Sequence, residues 1–207
     1  MIETAIFDLG NVVLNFEHKS ICERLARYSK YSTEEIYHSG FHSKQLRLYE
    51  TGKLKSEELF QWLIQKFEIE ISYETFRYIW SDMFSPNTSM ETLLSYLKKN
   101  GYRLILLSNT NELHFNFIKD NFEVIQMFDD LVLSYRVGYS KPHEKIYKEA
   151  LRRAGSPAKK CVFIDDIEEF CLSAESLGIN SIVYRSTDQL IKELKKNGIA
   201  INYHSSV

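Results

Sequence analysis

Four short stretches hold the residues of this sequence that could do chemistry together: Asp8-Leu9-Gly10-Asn11, Ser108-Asn109-Thr110, Lys141-Pro142 and Asp165-Asp166. Three of them directly follow an apolar run, and Lys141 lies a few residues beyond another. Carboxylates in such places can attack an electrophile or hold a hard cation through oxygen. A lysine, a hydroxyl and backbone N–H groups can bind an anion. Taken singly, none of the four is distinctive. An acidic pair at a helix start is stabilised by the helix dipole, Ser and Asn cap helices, and a loop lysine is ordinarily solvated.

The elements that must position these residues follow from the hydrophobic pattern. Short β-rich runs at residues 4–7, 103–107, 130–134, 161–164 and 181–184 alternate with helical patterns, the signature of strand-helix-strand units and a parallel sheet. Leu93, Leu94 and Leu97 mark one helix, ended by Asn100-Gly101, and Ile146, Leu151 and Ala154 mark another, ended by Gly155. Ligands of open parallel sheets bind beyond the carboxyl ends of the strands, so the four stretches are expected at one edge. Residues 16–86 read differently, as helix signals with no buried strand. Ile21 and Leu25 recur at helical spacing, Ser32 and Glu35 make a capping box, and Leu59, Phe60, Leu63, Ile64 and Phe67 form an apolar face.

The chain has 207 residues, 44% hydrophobic and 26% charged, with a formal net charge of -2. That composition is globular, and the charge leaves no broad footprint for nucleic acid or anionic lipid. Lys98-Lys99 and Lys195-Lys196 read as helix ends. The first residues lack the basic region of a signal peptide and no apolar run spans a membrane, so a soluble, cytoplasmic protein is expected. Cys22, Cys161 and Cys171 form no CxxC pair or disulfide framework and read as buried thiols. His38 and His42 read as structural or surface residues, and His114 and His143 as solvated helix starts.

The ordered set of four stretches resembles the motifs of the haloacid dehalogenase-like (HAD) hydrolase superfamily, over nearly the whole chain. Phe7-Asp8-Leu9-Gly10-Asn11-Val12 is similar to its first motif, Leu107-Ser108-Asn109-Thr110 to its second, the segment from Ser140 to Tyr147 to its third, and Phe163-Ile164-Asp165-Asp166 to its fourth. The resemblance implies an α/β fold with a Rossmann-like parallel sheet core at 1–15 and 87–207 and a helical cap inserted after the first strand at 16–86. It also implies a magnesium-dependent phosphatase acting on a small phosphorylated metabolite through an aspartyl phosphate. Asp8 would be the nucleophile and Lys141 a catalytic cation. Leu9, Ser108, Asn109 and Lys141 would bind phosphate. Asp8, the Gly10 carbonyl and Asp166 would hold Mg2+, with Asp165 either a further ligand or a support behind them. Oligomeric state stays open.

Two positions depart from the superfamily pattern. Gly10 stands where phosphatases of the superfamily usually carry a second Asp, which protonates the leaving group and then activates water. Phe170 stands where an Asn usually supports the metal or the lysine. The form of the first motif, with Tyr49-Glu50-Thr51-Gly52-Lys53-Leu54-Lys55-Ser56 and Asn111-Glu112-Leu113-His114, is similar to bacterial α-glucose-1-phosphatase-like members, which implies a sugar phosphate such as glucose 1-phosphate. A hemiacetal leaving oxygen carries negative charge better than an ordinary alkoxide, which relaxes the need for an acid. Arg47, Tyr49 and Glu50 are the candidate substrate contacts from the cap. The alternatives are a metal-independent 2-haloacid dehalogenase, against which the acidic pair argues, and a catalytically degenerate phosphosugar-binding protein.

Overall fold

Runs such as Ala5-Ile6-Phe7 and Leu104-Ile105-Leu106-Leu107 are apolar on both sides of the pleat, which suits strands covered on both faces. In the computed structural model, which describes residues 1–201, they lie at the centre of a sheet. In chain order the elements are β1 (Thr4–Phe7), β2 (Leu14–Phe16), α1 (His18–Ala26), α2 (Thr33–Ile36) with a π-helical turn (Tyr37–Phe41), α3 (Lys44–Glu50), α4 (Ser56–Phe67), α5 (Tyr73–Ser81) and β3 (Phe84–Pro86). There follow α6 (Thr88–Lys99), β4 (Arg103–Ser108), α7 (Glu112–Asn121), β5 (Asp130–Leu133), α8 (Ser134–Val137), α9 (Glu144–Ala154), β6 (Cys161–Asp165), α10 (Glu168–Glu175), β7 (Asn180–Val183) and α11 (Thr187–Lys196).

Five strands form one parallel sheet in the order β5-β4-β1-β6-β7. These are the five strands expected from the sequence, each end shifted by one residue at most. On one face Ala5, Phe7, Leu104, Leu106 and Ile164 pack with Leu93, Leu97, Phe115 and Leu190. On the other Ile6, Ile105, Leu107 and Phe163 pack with Ile146, Tyr147 and Ala150 of α9 and Cys171 of α10. The fold is therefore an α/β Rossmann-like one, with helices on both sides of the sheet. α6 ends at Asn100 and α9 at Gly155, as their sequences predict.

The helices between β2 and β3 enclose a second cluster of Ile21, Leu25, Leu59, Leu63, Phe76 and Trp80, which Leu113 of α7 joins from the sheet side. Ser32 and Glu35 form the expected capping box of α2. β2 and β3 themselves escaped the sequence reading, which held residues 16–86 to helix alone. They pair antiparallel with Phe16 opposite Phe84, where the chain leaves and rejoins the sheet layer. Each has three residues, and β3 contains a proline, so neither carries an alternating pattern long enough to read.

One turn ties the helical segment to the sheet edge. The Ser134 hydroxyl donates to the Glu50 carbonyl at 2.6 Å and accepts the Thr110 N–H at 2.9 Å. Beside it Gly52 has φ +68, and a Cβ there would lie 2.1 Å from the Tyr135 carbonyl oxygen. Only glycine permits that approach.

Candidate active site

The register sets Phe7 beside Leu106 on one side and Ile164 on the other. The next residues, Asp8 and Asp165, therefore emerge side by side at the carboxyl ends of adjacent strands, and the Asp8 N–H donates to the Ile164 carbonyl at 2.9 Å. Beyond Asp8 the chain turns sharply. The N–H groups of Val13 and Leu14 both donate to the Leu9 carbonyl, and Asn11 takes a left-handed φ of +54. This turn sets Gly10 against Phe16, so that a Cβ on Gly10 would lie 2.2 Å from the ring. No side chain, an aspartate included, fits at position 10 while Phe16 keeps its place.

Lys141 is the hub of the site. Its ammonium, fully buried, donates to Asp8 Oδ1 at 2.6 Å and to Asp165 Oδ2 at 2.5 Å. The Asn109 side chain clamps its backbone, accepting the Lys141 N–H at 2.7 Å and donating to its carbonyl at 3.0 Å. The remaining face of the ammonium lies over the Phe170 ring, 5.1 Å from the centroid, and near Phe163 at 5.6 Å. Phe170 thus supports the lysine by a cation–π contact where an amide would have used a hydrogen bond.

Burial pushes the Asp8 carboxyl up to about 7, against the Lys141 charge and with the help of Asp165. Burial works to discharge Lys141, but the two carboxylates outweigh it and keep the ammonium charged. Asp166 is raised by burial and then by its neighbour Asp165. Ligand oxygens of Asp8, Asp165 and Asp166 all lie within 4.8 Å of one another, a set of hard donors whose crowded charge one lysine only partly offsets. A divalent cation fits that chemistry. Among the described residues no other group of three or more such side chains comes together.

The site opens into a cavity of about 320 Å³ lined by Asp8, Gly10, Ser108, Asn109, Lys141 and Asp166. Leu9 and Thr110 also line it, as do Phe16, His18, Glu50, Phe84 and Phe170. Asp165 does not line the cavity: its Oδ1 accepts the Ile167 N–H at 2.9 Å while Oδ2 holds Lys141. Of the three candidate cap contacts only Glu50 lines it. Tyr49 is buried with its hydroxyl 2.9 Å from Ser56 Oγ, and Arg47 donates to the His42 carbonyl.

The histidines correct one expectation. His143 is an exposed helix start, but His114 is buried, with Nδ1 on the Asn111 amide and Nε2 on the Trp80 carbonyl, both at 3.0 Å. Burial lowers it to about 3. Its position at the start of α7 gave the solvated reading; the helical segment that covers α7 overturns it. His18, missed in the sequence, lies between the Phe16 and Phe41 rings and burial lowers it to about 4. Nothing local to its sequence marks it, because the elements that enclose it are distant in the chain. The three cysteines are buried as expected.

A family model described as haloacid dehalogenase-like hydrolase matches residues 2–178. The chain belongs to the haloacid dehalogenase-like hydrolases. It is similar to drimenol cyclase drtB of Aspergillus calidoustus, at 25% identity over 94% of this chain and 36% of that protein. It is also similar to glyceraldehyde 3-phosphate phosphatase of Methanothermobacter thermautotrophicus, at 34% identity over 56% of this chain and 52% of that protein. The chain thus spans about a third to a half of the length of these relatives. A crystal structure of the HAD family enzyme bt-2542 from Bacteroides thetaiotaomicron, in complex with magnesium and inorganic phosphate, superposes with a TM-score of 0.80 at 26% identity. That match covers 89% of this chain and 95% of the other. Among the described residues no helix is long and apolar enough to cross a membrane.

Proposed function

We propose that this HAD hydrolase is a magnesium-dependent phosphatase of a small phosphorylated metabolite, working through an aspartyl phosphate on Asp8. The observation that carries the reading is the juxtaposition at one sheet edge of Asp8, the buried Lys141 ammonium 2.6 Å from it, and the Asp166 carboxylate. The magnesium and phosphate bound by the similar bt-2542 enzyme support the same chemistry. Asp8, Asp166 and the Gly10 carbonyl would hold the metal, and Asp165, with both oxygens engaged, would hold Lys141. Bound magnesium supplies positive charge beside the phosphate and the attacking carboxylate.

The protein's own residues do the rest. Asp8 attacks phosphorus and later releases it to water, so one difficult displacement becomes two easier ones. Lys141 neutralises the approaching phosphate, while the Ser108 hydroxyl and the N–H groups of Leu9 and Asn109 bind its oxygens as charge redistributes. The helices of 16–86 act as a cap, and the aromatic wall of Phe16, Phe84 and Phe170 excludes water and receives the leaving group. That wall suits a leaving group with an apolar face. Sugar phosphates, glucose 1-phosphate first among them, are the class to test first.

The test is phosphate release by the wild-type protein and Asp8→Asn from a phosphometabolite panel of sugar, polyol and prenyl phosphates, with and without magnesium. Wild type is expected to turn over at least one class only with magnesium, and Asp8→Asn none. Metal-independent turnover, or halide release from 2-haloacids, would refute the reading. So would a protein that binds one member tightly and hydrolyses nothing.

A further inference from the structure

The site as described lacks a group to protonate the leaving oxygen and to take a proton from water. A side chain at Gly10 would require the Phe16 ring to move, because the ring fills the space its Cβ would need. The ionisable groups of the cavity are few. Asp8, Lys141 and Asp166 are already assigned to phosphate and metal; the others are Glu50 of α3, His18 of α1 and His114 of α7. Both ring nitrogens of His114 are engaged by Asn111 and Trp80, which leaves it no proton to exchange.

We propose that Glu50 is the acid–base group of this site, supplied from the helical segment in the role that Gly10 leaves open. This rests on the phosphatase reading. Glu50 is the last residue of α3 and lines the same cavity as Asp8, Ser108 and Lys141. Its backbone is fixed there, because Ser134 binds both its carbonyl and the Thr110 N–H that follows Ser108-Asn109. Gly52, pressed against the Tyr135 carbonyl, holds the following turn down on α8. No hydrogen bond or ion pair occupies the carboxyl among the described residues, so a substrate oxygen or a water would meet it unpartnered.

The electrostatics agree with the geometry. Burial lifts the Glu50 carboxyl to about 7, and Arg47 on its own helix opposes the effect without cancelling it. Such a group is divided between acid and base near neutrality, the condition that serves proton transfer in both directions. His18 is pushed the other way, to about 4, and at neutral pH has no proton to give.

The steps balance as follows. An Asp8 oxygen bonds to phosphorus while the bond from phosphorus to the leaving oxygen breaks, and the Glu50 proton passes to that oxygen. Water then bonds to phosphorus as the Asp8 oxygen departs, and a water proton returns to Glu50. Asp8 recovers its carboxylate, Glu50 its proton, and phosphate leaves.

Comparison of the full-length wild type with Glu50→Gln and His18→Gln, with magnesium, on p-nitrophenyl phosphate and on the best alkyl or sugar phosphate of the panel tests this. The first substrate has a leaving group that needs no proton. Glu50→Gln should lose about 100-fold or more in kcat/KM on the alkyl or sugar phosphate and far less on p-nitrophenyl phosphate. With p-nitrophenyl phosphate it should release one equivalent quickly and then stall as the aspartyl phosphate, for want of a base. Equal losses on both substrates, no loss on either, or the same dependence on leaving group in His18→Gln instead, would overturn the assignment of Glu50. A wild-type protein inert toward every phosphate would remove the phosphatase reading itself, a result that needs no variant to recognise.

Discussion

Gly10 is as much a matter of packing as of missing chemistry. Adding an aspartate would displace the Phe16 ring, because its Cβ would meet that ring at 2.2 Å. Gly10→Asp alone is expected to lower both stability and turnover, and Gly10→Asp with Phe16→Ala to recover stability relative to the single variant, as measured by urea denaturation. His114 makes a separate claim about pH. The unfolded histidine binds a proton near its ordinary value of 6.5, whereas the buried ring binds one only near 3. Between those values the unfolded chain holds more protons, so acidification favours unfolding. His18, lowered to about 4, adds in the same direction over a narrower range. Each histidine alone lowers stability as pH drops below about 6.5, by at most about 1.4 kcal/mol per pH unit. Asp8 and Glu50, raised to about 7, take up protons in the folded state and act in the opposite direction between about 4 and 7. The His114 contribution therefore shows as a difference: acidification from about 6.5 should lower the urea midpoint of His114→Gln less, or raise it more, than that of the wild type. Parallel pH curves would place the response elsewhere.

At the scale of elements, the turn after α3 decides how the helical segment meets the sheet. Gly52 combines a left-handed φ with an approach to the Tyr135 carbonyl that a methyl group would block. Gly52→Ala should cost about 1–3 kcal/mol in urea denaturation and depress turnover further by moving Glu50. Gly101→Ala is the comparison, since Gly101 shares the positive φ but has nothing within 4 Å of a Cβ. It should cost less and leave turnover intact. Equal costs would mean that backbone conformation, and not the contact with α8, is what Gly52 serves. The clamp of Asn109 on Lys141 works by the same logic between β4 and the loop before α9, fixing the lysine's backbone so that its ammonium meets two carboxylates.

Across the whole molecule, folding gathers ligand oxygens of three carboxylates within 4.8 Å at the edge of the sheet, a charge that Lys141 offsets only in part. Magnesium should therefore raise the thermal midpoint of the wild-type protein, as any ligand of the folded state does. Asp166→Asn should abolish that rise while leaving the metal-free protein as stable or more so, which thermal unfolding with and without magnesium checks. The five strands, the turn residues after α6 and α9 and the order of the four chemical stretches were legible in the sequence, because apolar runs, Gly at helix ends and acids at strand ends are local signals. So was Asp8 as the residue at the end of the first strand. Tertiary structure alone decided the rest. Whether Asp165 faces the cavity or the lysine depends on the Ile167 N–H and Lys141; whether His114 is solvated depends on Trp80, from a helix far back in the chain. Which of Arg47, Tyr49 and Glu50 reaches the cavity depends on how one turn docks on α8. These are contacts between residues distant in sequence, and no local pattern of propensity or periodicity encodes them.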